Sequence, residues 1–278
     1  MNREAAGPPE FDPTAGFDPK TPNVARMQDY WLGGKDNFAA DREAAERAMT
    51  LAPELPRLAR ENRKFLARAV RFLAAAGIDQ FIDIGTGLPT QGHVHEVLHD
   101  VAPEARVAYV DNDPVVMAHA RALLEGYNRA VAVQGDVQDP DGILADRRLR
   151  ELIDLDRPVG ILLISILHLI EDDELTQRIL TRLRDAVAPG SYITIAHAVS
   201  GQPEKDETIA KLADLYHEKA MKGNTRRDLR TEKQVLALFD GMELVEPGLV
   251  KLPEWRPEAG AAVDVESFWV VGGVAKTL

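Results

Sequence analysis

Five short apolar runs, each followed by a stretch of helical periodicity, dominate the chain after Gly77. They are QFIDIG (80–85), RVAYVDND (106–113), AVAVQGD (130–136), PVGILLIS (158–165) and SYITIAHAV (191–199). Each reads as a strand. Asp113 and Pro114 supply an N-cap and a first-turn proline for VVMAHARALL. Leu175, Ile179, Leu183 and Val187 line one face of a later helix, closed by Pro189 and Gly190. Strands alternating with helices predict an α/β fold: a parallel sheet with helices on both faces. ELVEPGLVKL (243–252) and SFWVVGGVA (267–275) have only a loop between them. They are expected to pair as an antiparallel hairpin at one sheet edge.

The N-terminal side has a different rhythm. Residues 1–22 carry many Pro, Gly and acidic residues and are expected to form a mobile tail. Residues 23–76 read as helical. Pro56 suits a first turn, Leu58, Phe65, Ala69, Phe72 and Ala76 recur at helical spacing, and Gly77 is a stop. Arg57, Arg60, Arg63, Lys64, Arg68 and Arg71 occupy the other positions and read as a solvated face. Residues 77–278 then form the ligand-binding domain, with 200–231 as a polar insertion.

Composition closes off several chemistries. With 278 residues and a hydrophobic fraction of 45%, a full core is available. The net charge of −12 disfavours nucleic acid as a partner. The absence of cysteine removes disulfides, thiolate zinc sites and cysteine nucleophiles, and no metal site is expected. No apolar run reaches the length of a membrane span, and the N-terminus lacks the regions of a signal peptide. The expectation is a soluble cytoplasmic protein.

The chemistry-bearing stretch is DIGTGLPTQG (83–92), between the first strand and a helical pattern. Gly85 and Gly87 permit close backbone approach to a ligand. Pro89 and Thr90 occupy the place where a third dinucleotide-binding glycine would fall. The second strand ends in Asp111, followed by Asn112, and the third in Asp136, followed by Val137. An acid after the second strand can accept hydrogen bonds from both hydroxyls of a ribose, and one after the third from an adenine amine. Asp83 adds a third acid, and together they predict a nucleoside-containing ligand. No Arg or Lys lies between Asp83 and Arg106 to meet a phosphate. An acid-lined turn suits a cationic ligand such as S-adenosylmethionine better than a dianionic one.

FIDIGTGLPT, VAYVDNDPVV, the Gly135-Asp136 pair and LRDAVAPGSYITIAH (183–197) resemble the successive motifs of class I S-adenosylmethionine-dependent methyltransferases. Arg26, Asp29-Tyr30, Leu32-Gly33-Gly34-Lys35, Asn37-Phe38 and Asp41-Arg42 are similar to the N-terminal signature of one family among them. That family was long catalogued as a domain of unknown function. FDGMELVEPGLV (239–250) and WRP (255–257) resemble its C-terminal part. The resemblance implies a Rossmann-like seven-stranded sheet with helices on both faces, an N-terminal helical cap, S-adenosylmethionine as cofactor and a small-molecule methyl acceptor.

The cap would then be residues 25–38, turning over the cofactor at Gly33 and Gly34. Arg26 would pair with the methionine carboxylate. Tyr30 would donate to that carboxylate or set its ring near the sulfonium. The bland alternative is a helix–turn–helix connection with Arg26 in a surface pair. Past the fourth strand, Ser165 would line the cofactor pocket and His168 would be a general base or a structural histidine. His197 is a second polar candidate at the end of the fifth strand. In 200–231, Arg226 and Arg227 would meet an anionic group of the substrate if the insertion is a lid, or lie in a solvated connection. Two rival functions stay open on the residues alone. One is a non-catalytic module that reports cofactor occupancy; the other is an NAD-type oxidoreductase.

Overall fold

The computed structural model describes residues 18–278 except 90–91, 202, 220–227 and 267. The first helix, α1 (Val24–Trp31), opens where the Asn23 side chain accepts from the Ala25 and Arg26 N–H groups. Gly33, at φ +81°, turns the chain toward α2 (Ala39–Leu51). The long α3 (Leu55–Ala75) follows. Leu58, Phe65 and Ala69 are buried as their spacing predicts, while Ala76 falls beyond the helix end and is exposed. Gly77, at φ +89°, ends the segment.

The alternating pattern then unfolds as β1 (Gln80–Ile84), α4 (Val94–Val101), β2 (Arg106–Asp111), α5 (Pro114–Leu123) and β3 (Ala130–Gln134). Next come α6 (Pro140–Ala145), α7 (Arg147–Leu152), β4 (Gly160–Ile164), α8 (Asp173–Asp185) and β5 (Tyr192–Ala198). The chain closes with α9 (Pro203–Lys219), α10 (Glu232–Ala237), β6 (Met242–Leu244), β7 (Val250–Lys251) and β8 (Val270–Thr277).

The strand order is β3-β2-β1-β4-β5-β8-β6. The first five strands are parallel, and β8 runs antiparallel to β5. The run at 243–252 makes no single hairpin arm. Gly248, at φ +91°, lies in the turn that splits it into β6 and β7, and each pairs antiparallel with β8. Seven strands therefore lie along the sheet, with the two-residue β7 as an extra partner of β8.

Side chains alternate across the sheet because successive strand residues point to opposite faces. Phe81 and Leu162 join Phe65, Leu66 and Val116 on one face. Ile82, Ile161 and Leu163 join Leu149, Ile179 and Val235 on the other. Residues on both sides of position 77 thus share the first core. A Cβ at Gly272 of β8 would come within 2.7 Å of the Phe65 ring, so that glycine lets α3 sit directly on the sheet. Trp255 then meets Phe65 and Phe72 edge-on, at 5.4 and 5.9 Å between centroids.

The strand order fixes where a ligand belongs. From β1 the chain steps outward to β2 and β3, then returns to β4 on the other side of β1. The crevice above the C-terminal ends of β1 and β4 is the topological switch point of the sheet. The glycine turn follows β1, and Ser165 follows β4. Among the described residues, no helix is long and apolar enough to cross a membrane.

Candidate active site

The turn after β1 depends on its glycines. Gly85 and Gly87 take φ of +74° and +68°, where side chains are disfavoured. A Cβ at Gly85 would also lie 2.9 Å from Ile166 Cγ1. The Gly87 N–H donates to Asp111 Oδ2 at 3.0 Å, and the Asp113 N–H donates to Asp111 Oδ1 at 3.0 Å. Thr86 Oγ1 donates to Asp83 Oδ2 at 2.8 Å.

Asp83 and Asp111 are only 3% and 8% exposed. Burial pushes Asp83 up to about 6, against the Thr86 hydrogen bond and the Arg63 charge. Burial likewise pushes Asp111 up to about 6, opposed by its two backbone donors and reinforced by the charges of Asp113 and Asp83. Two desolvated carboxylates that repel each other make a receptor for positive charge and for hydroxyl donors. At the neighbouring strand end, Asn112 Nδ2 donates to Asp136 Oδ2 at 3.4 Å, and Asp136 Oδ1 accepts from the Gln138 N–H at 2.9 Å. Val137 is half-buried beside them.

Two further groups complete this chamber, and the sequence pattern did not single them out. Arg63 of α3 lies over the turn: a Cβ on Gly87 would be 3.9 Å from its Nη2. Its Nε is buried without a partner, and its charge is felt by Asp83. Asp29 is 1% exposed. Its Oδ2 accepts from the Asp36 N–H at 3.0 Å and from Asn37 Nδ2 at 2.7 Å, which folds the Gly33-Gly34 turn around it. Its Oδ1 is buried and has no partner. Arg63 and Asp29 interact electrostatically. No Arg or Lys lies in the chain between Asp83 and Arg106, and the cation near the glycine turn comes instead from α3. The signal available was helical phase, because Arg63 lies between Ala59 and Leu66 on the buried side.

Arg26 stands elsewhere than expected. Its Nε lies 3.1 and 3.0 Å from the two Asp41 oxygens, its Nη1 3.3 Å from Asp113 Oδ2, and its Nη2 donates to Thr21 O at 2.8 Å. Asp113 caps α5 and also touches Asp111 through its N–H. Arg26 is thus a buried strut between the N-terminal helices and the β2–α5 turn, with its guanidinium engaged by protein groups rather than turned to a ligand carboxylate. Tyr30 donates its hydroxyl to Glu46 Oε1 at 2.9 Å, and that bond raises its pKa. Its hydroxyl is therefore engaged by Glu46 of α2. Gly33 serves through its backbone, and a Cβ placed there would meet nothing within 4 Å.

A second chamber lies beside Asn62, the residue before Arg63 on α3. It is a cavity of about 100 Å³ between α1, α3, the end of β4 and α9. Trp31, Leu58, Ile209, Leu212, Tyr216 and Trp269 form much of its wall. Ser165 borders it in a left-handed conformation, φ 57°, and donates from Oγ to Asn62 Oδ1 at 2.8 Å. Non-glycine residues held there store strain of about 1–3 kcal/mol, and such strain collects at functional positions. His168 also lines this cavity. Its Nδ1 is buried without a partner, and burial followed by the Arg230 charge pushes its pKa down to about 4.

His197 does not reach either chamber. It is fully buried, its Nδ1 donates to Ala198 O at 2.6 Å, and its Nε2 accepts from Arg230 Nη1 at 3.2 Å. Arg230 is itself 1% exposed. It donates to Leu167 O at 3.0 Å, Ile170 O at 3.3 Å and Thr176 Oγ1 at 2.7 Å, and pairs with Asp173 at 2.8 Å. These bonds hold the 3₁₀ turn Leu167–Leu169 that carries His168. Arg226 and Arg227 lie outside the described residues. No group of acidic or histidine side chains suited to a metal occurs among the described residues.

A family model described as S-adenosyl methyltransferase matches residues 12–278. Two solved structures are similar over nearly the whole chain. A candidate methyltransferase from Thermobifida fusca YX is 41% identical, with 93% of this chain and 96% of that chain covered and a TM-score of 0.85. A DUF574-family protein from Streptomyces avermitilis MA-4680 is 37% identical, with 94% and 99% covered and a TM-score of 0.86. An O-methyltransferase family protein from Burkholderia thailandensis, 12% identical, shares the fold at a TM-score of 0.51 over 93% of this chain and 64% of that one. No curated protein matches the chain.

Proposed function

The chain belongs to the S-adenosyl methyltransferase family, and from that premise we propose that it methylates a small molecule held in the chamber beside Asn62, Ser165 and His168. S-Adenosylmethionine, the cofactor of this family, supplies an electrophilic methyl group on a sulfonium. The first chamber fits it on chemical grounds. Its methionine end carries one cation and one anion, and the orphaned buried atoms there are Asp29 Oδ1 and Arg63 Nε. Asp29 and Asp83 would hold the ammonium, and Arg63 the carboxylate. Asp111 would accept from the ribose, with Asn112, Asp136 and Val137 around the adenine. Gly85 and Gly87 would let the backbone close on the ligand.

In this reading Arg26 is a positioning residue. It fixes Asp113, whose N–H fixes the Asp111 carboxylate. Gly33 shapes the loop that presents Asp29. Ser165 and Asn62 border the acceptor chamber, and His168 would face the acceptor. The observation that carries the proposal is the pair Asp83 and Asp111, buried without a compensating ion pair at the switch point of a sheet in this family. The acceptor chamber next to them favours catalysis over a module that only senses cofactor.

Calorimetric titration of the purified protein with S-adenosylmethionine and with S-adenosylhomocysteine tests it. Micromolar binding of both is expected. Asp111→Ala should weaken it by about 1–3 kcal/mol, the cost of leaving buried hydroxyls unpaired. Unchanged affinity in the variant would remove Asp111 from the ribose. No binding by the wild type would overturn the cofactor assignment for this chain.

A further inference from the structure

We infer that the acceptor is an uncharged, flat, largely apolar molecule with a hydroxyl on an aromatic ring, seated in the second chamber with that hydroxyl on His168 Nδ1. The inference rests on the methyltransferase reading above, and it goes beyond it by naming the substrate class.

Charge decides first. Among the described residues that border this cavity there is no Asp, Glu, Lys or Arg. A charged acceptor would enter without a counter-ion and lose its hydration, a large penalty in an apolar surround. The cation that acts on His168, Arg230, is spent on Leu167 O, Thr176 Oγ1, Asp173 and His197, behind the wall. Arg63 does not border this cavity and lies instead near the glycine turn. The histidine itself is neutral at physiological pH, because burial and Arg230 both disfavour its charged form. The described wall of the chamber therefore offers neither an anion nor a cation.

Shape and polarity decide next. Trp31 and Trp269 contribute indole surface to the wall, and Leu58, Leu212 and Tyr216 contribute apolar surface. Flat aromatic ligands bury well against such walls. Against this apolar background one buried nitrogen, His168 Nδ1, has no partner. A buried polar atom left unpaired is costly, and a ligand hydroxyl that donates to it removes that cost. In the tautomer with its proton on Nε2, the imidazole accepts at Nδ1. An aliphatic amine would be protonated in water and excluded by its charge. A ring hydroxyl is neutral in water and can donate.

The same contact serves the transfer. An oxygen lone pair forms the new bond to the methyl carbon, and the electron pair of the carbon–sulfur bond stays on sulfur, leaving a neutral thioether. The hydroxyl proton passes to His168 Nδ1 and then to water. An oxygen that has begun to form a third bond is strongly acidic, so a weakly basic imidazole suffices to take the proton. Asn62 and Ser165, locked to each other at 2.8 Å, would set the wall against which the ring is aligned.

The test is a binding panel on the protein saturated with S-adenosylhomocysteine, followed by calorimetry. The probes are phenol, 2-naphthol, 2-naphthoate, 2-naphthylmethylamine and 2-methoxynaphthalene. 2-Naphthol should bind, and the anionic and cationic analogues should bind at least about tenfold more weakly. His168→Ala should weaken 2-naphthol while leaving 2-methoxynaphthalene unchanged, since the ether has no proton to donate. Saturation with S-adenosylhomocysteine is measured first, so loss of the cofactor reading is seen separately from loss of the acceptor reading. Tighter binding of the naphthoate or the amine than of 2-naphthol overturns the inference. So does equal weakening of naphthol and ether in His168→Ala, which would make His168 a packing residue only. Binding of S-adenosylhomocysteine with no binding of either phenol also overturns it.

Discussion

The two chambers draw on neighbouring residues of α3, Arg63 and Asn62, and differ in almost every physical respect. On one side, Arg63 joins Asp29, Asp83 and Asp111, with buried charges and carboxylate pKa values displaced toward neutrality. On the other, Asn62 joins Ser165, His168, Trp31 and Trp269, with no ionised group on the wall among the described residues. Consecutive residues on a helix point about 100° apart, so a single turn of α3 can serve both. Under the proposed function, the contrast is a division of labour. The charged side matches a zwitterionic, sulfonium-bearing cofactor, and the uncharged side suits a neutral acceptor. Each chamber excludes the other's ligand by the cost of burying the wrong charge.

The sharpest way to break the contrast is to damage one side and read both. Arg230→Met removes the guanidinium from a buried network behind the acceptor chamber. It should cost about 3 kcal/mol of stability or more, since Leu167 O, Thr176 Oγ1 and His197 Nε2 lose their partner. Thermal denaturation checks that loss. Titration below the new melting point should show S-adenosylmethionine affinity unchanged and 2-naphthol affinity reduced. A parallel loss of both would mean that the two sides are not independent.

Next in size is Arg63→Ala. It should weaken S-adenosylmethionine by about 1.5–3 kcal/mol, the worth of a hydrogen bond to a charged group, with Arg63→Lys falling between. Calorimetry against the free acceptor analogues should show little change. Unchanged cofactor affinity would return Arg63 to the role of a helix-packing residue.

The smallest effect is that of pH on the charged side. Asp83 and Asp111 both titrate near 6 in the free protein, above the ordinary carboxylate value of 3.8. A cationic or hydroxyl-donating ligand favours their ionised forms. Cofactor affinity should therefore rise with pH through about 6 and fall below it, roughly fourfold per carboxylate between pH 7.5 and 5.5. Proton release on binding at pH 5.5, seen as a buffer-dependent heat, is the direct check. In the free protein the sign is opposite. The contribution of these two groups to stability is full below the ordinary range and is lost as pH rises through about 6. Asp83→Asn with Asp111→Asn should flatten both dependences. His168, near 4, is neutral across this window and adds nothing to it.

Much of this was legible in the residues alone. The five apolar runs and their intervening helices dictated a parallel sheet, because short strands joined by helical crossovers have few other ways to bury both faces. Gly85 and Gly87 marked the turn, because their φ values of +74° and +68° favour a residue without Cβ, and at Gly85 a Cβ would also press on Ile166. Asp83, Asp111 and Asp136 marked the strand ends.

What the sequence by itself could not assign was the partner of each polar group. Arg26 matched a signature and was expected to meet a ligand, yet Asp41 and Asp113 enclose it. Arg63 looked like one of six basic residues on a solvated face, yet it is the one turned toward the glycine turn. His197 and His168 looked alike as candidates, yet Arg230 takes one and leaves the other with an open nitrogen. The physical reason is the same in each case. Local periodicity and backbone sterics act over a few residues and are written in the sequence. Burial and pairing depend on groups far apart in the chain, and they exist only once the sheet has brought α3, the glycine turn and the end of β4 to one place.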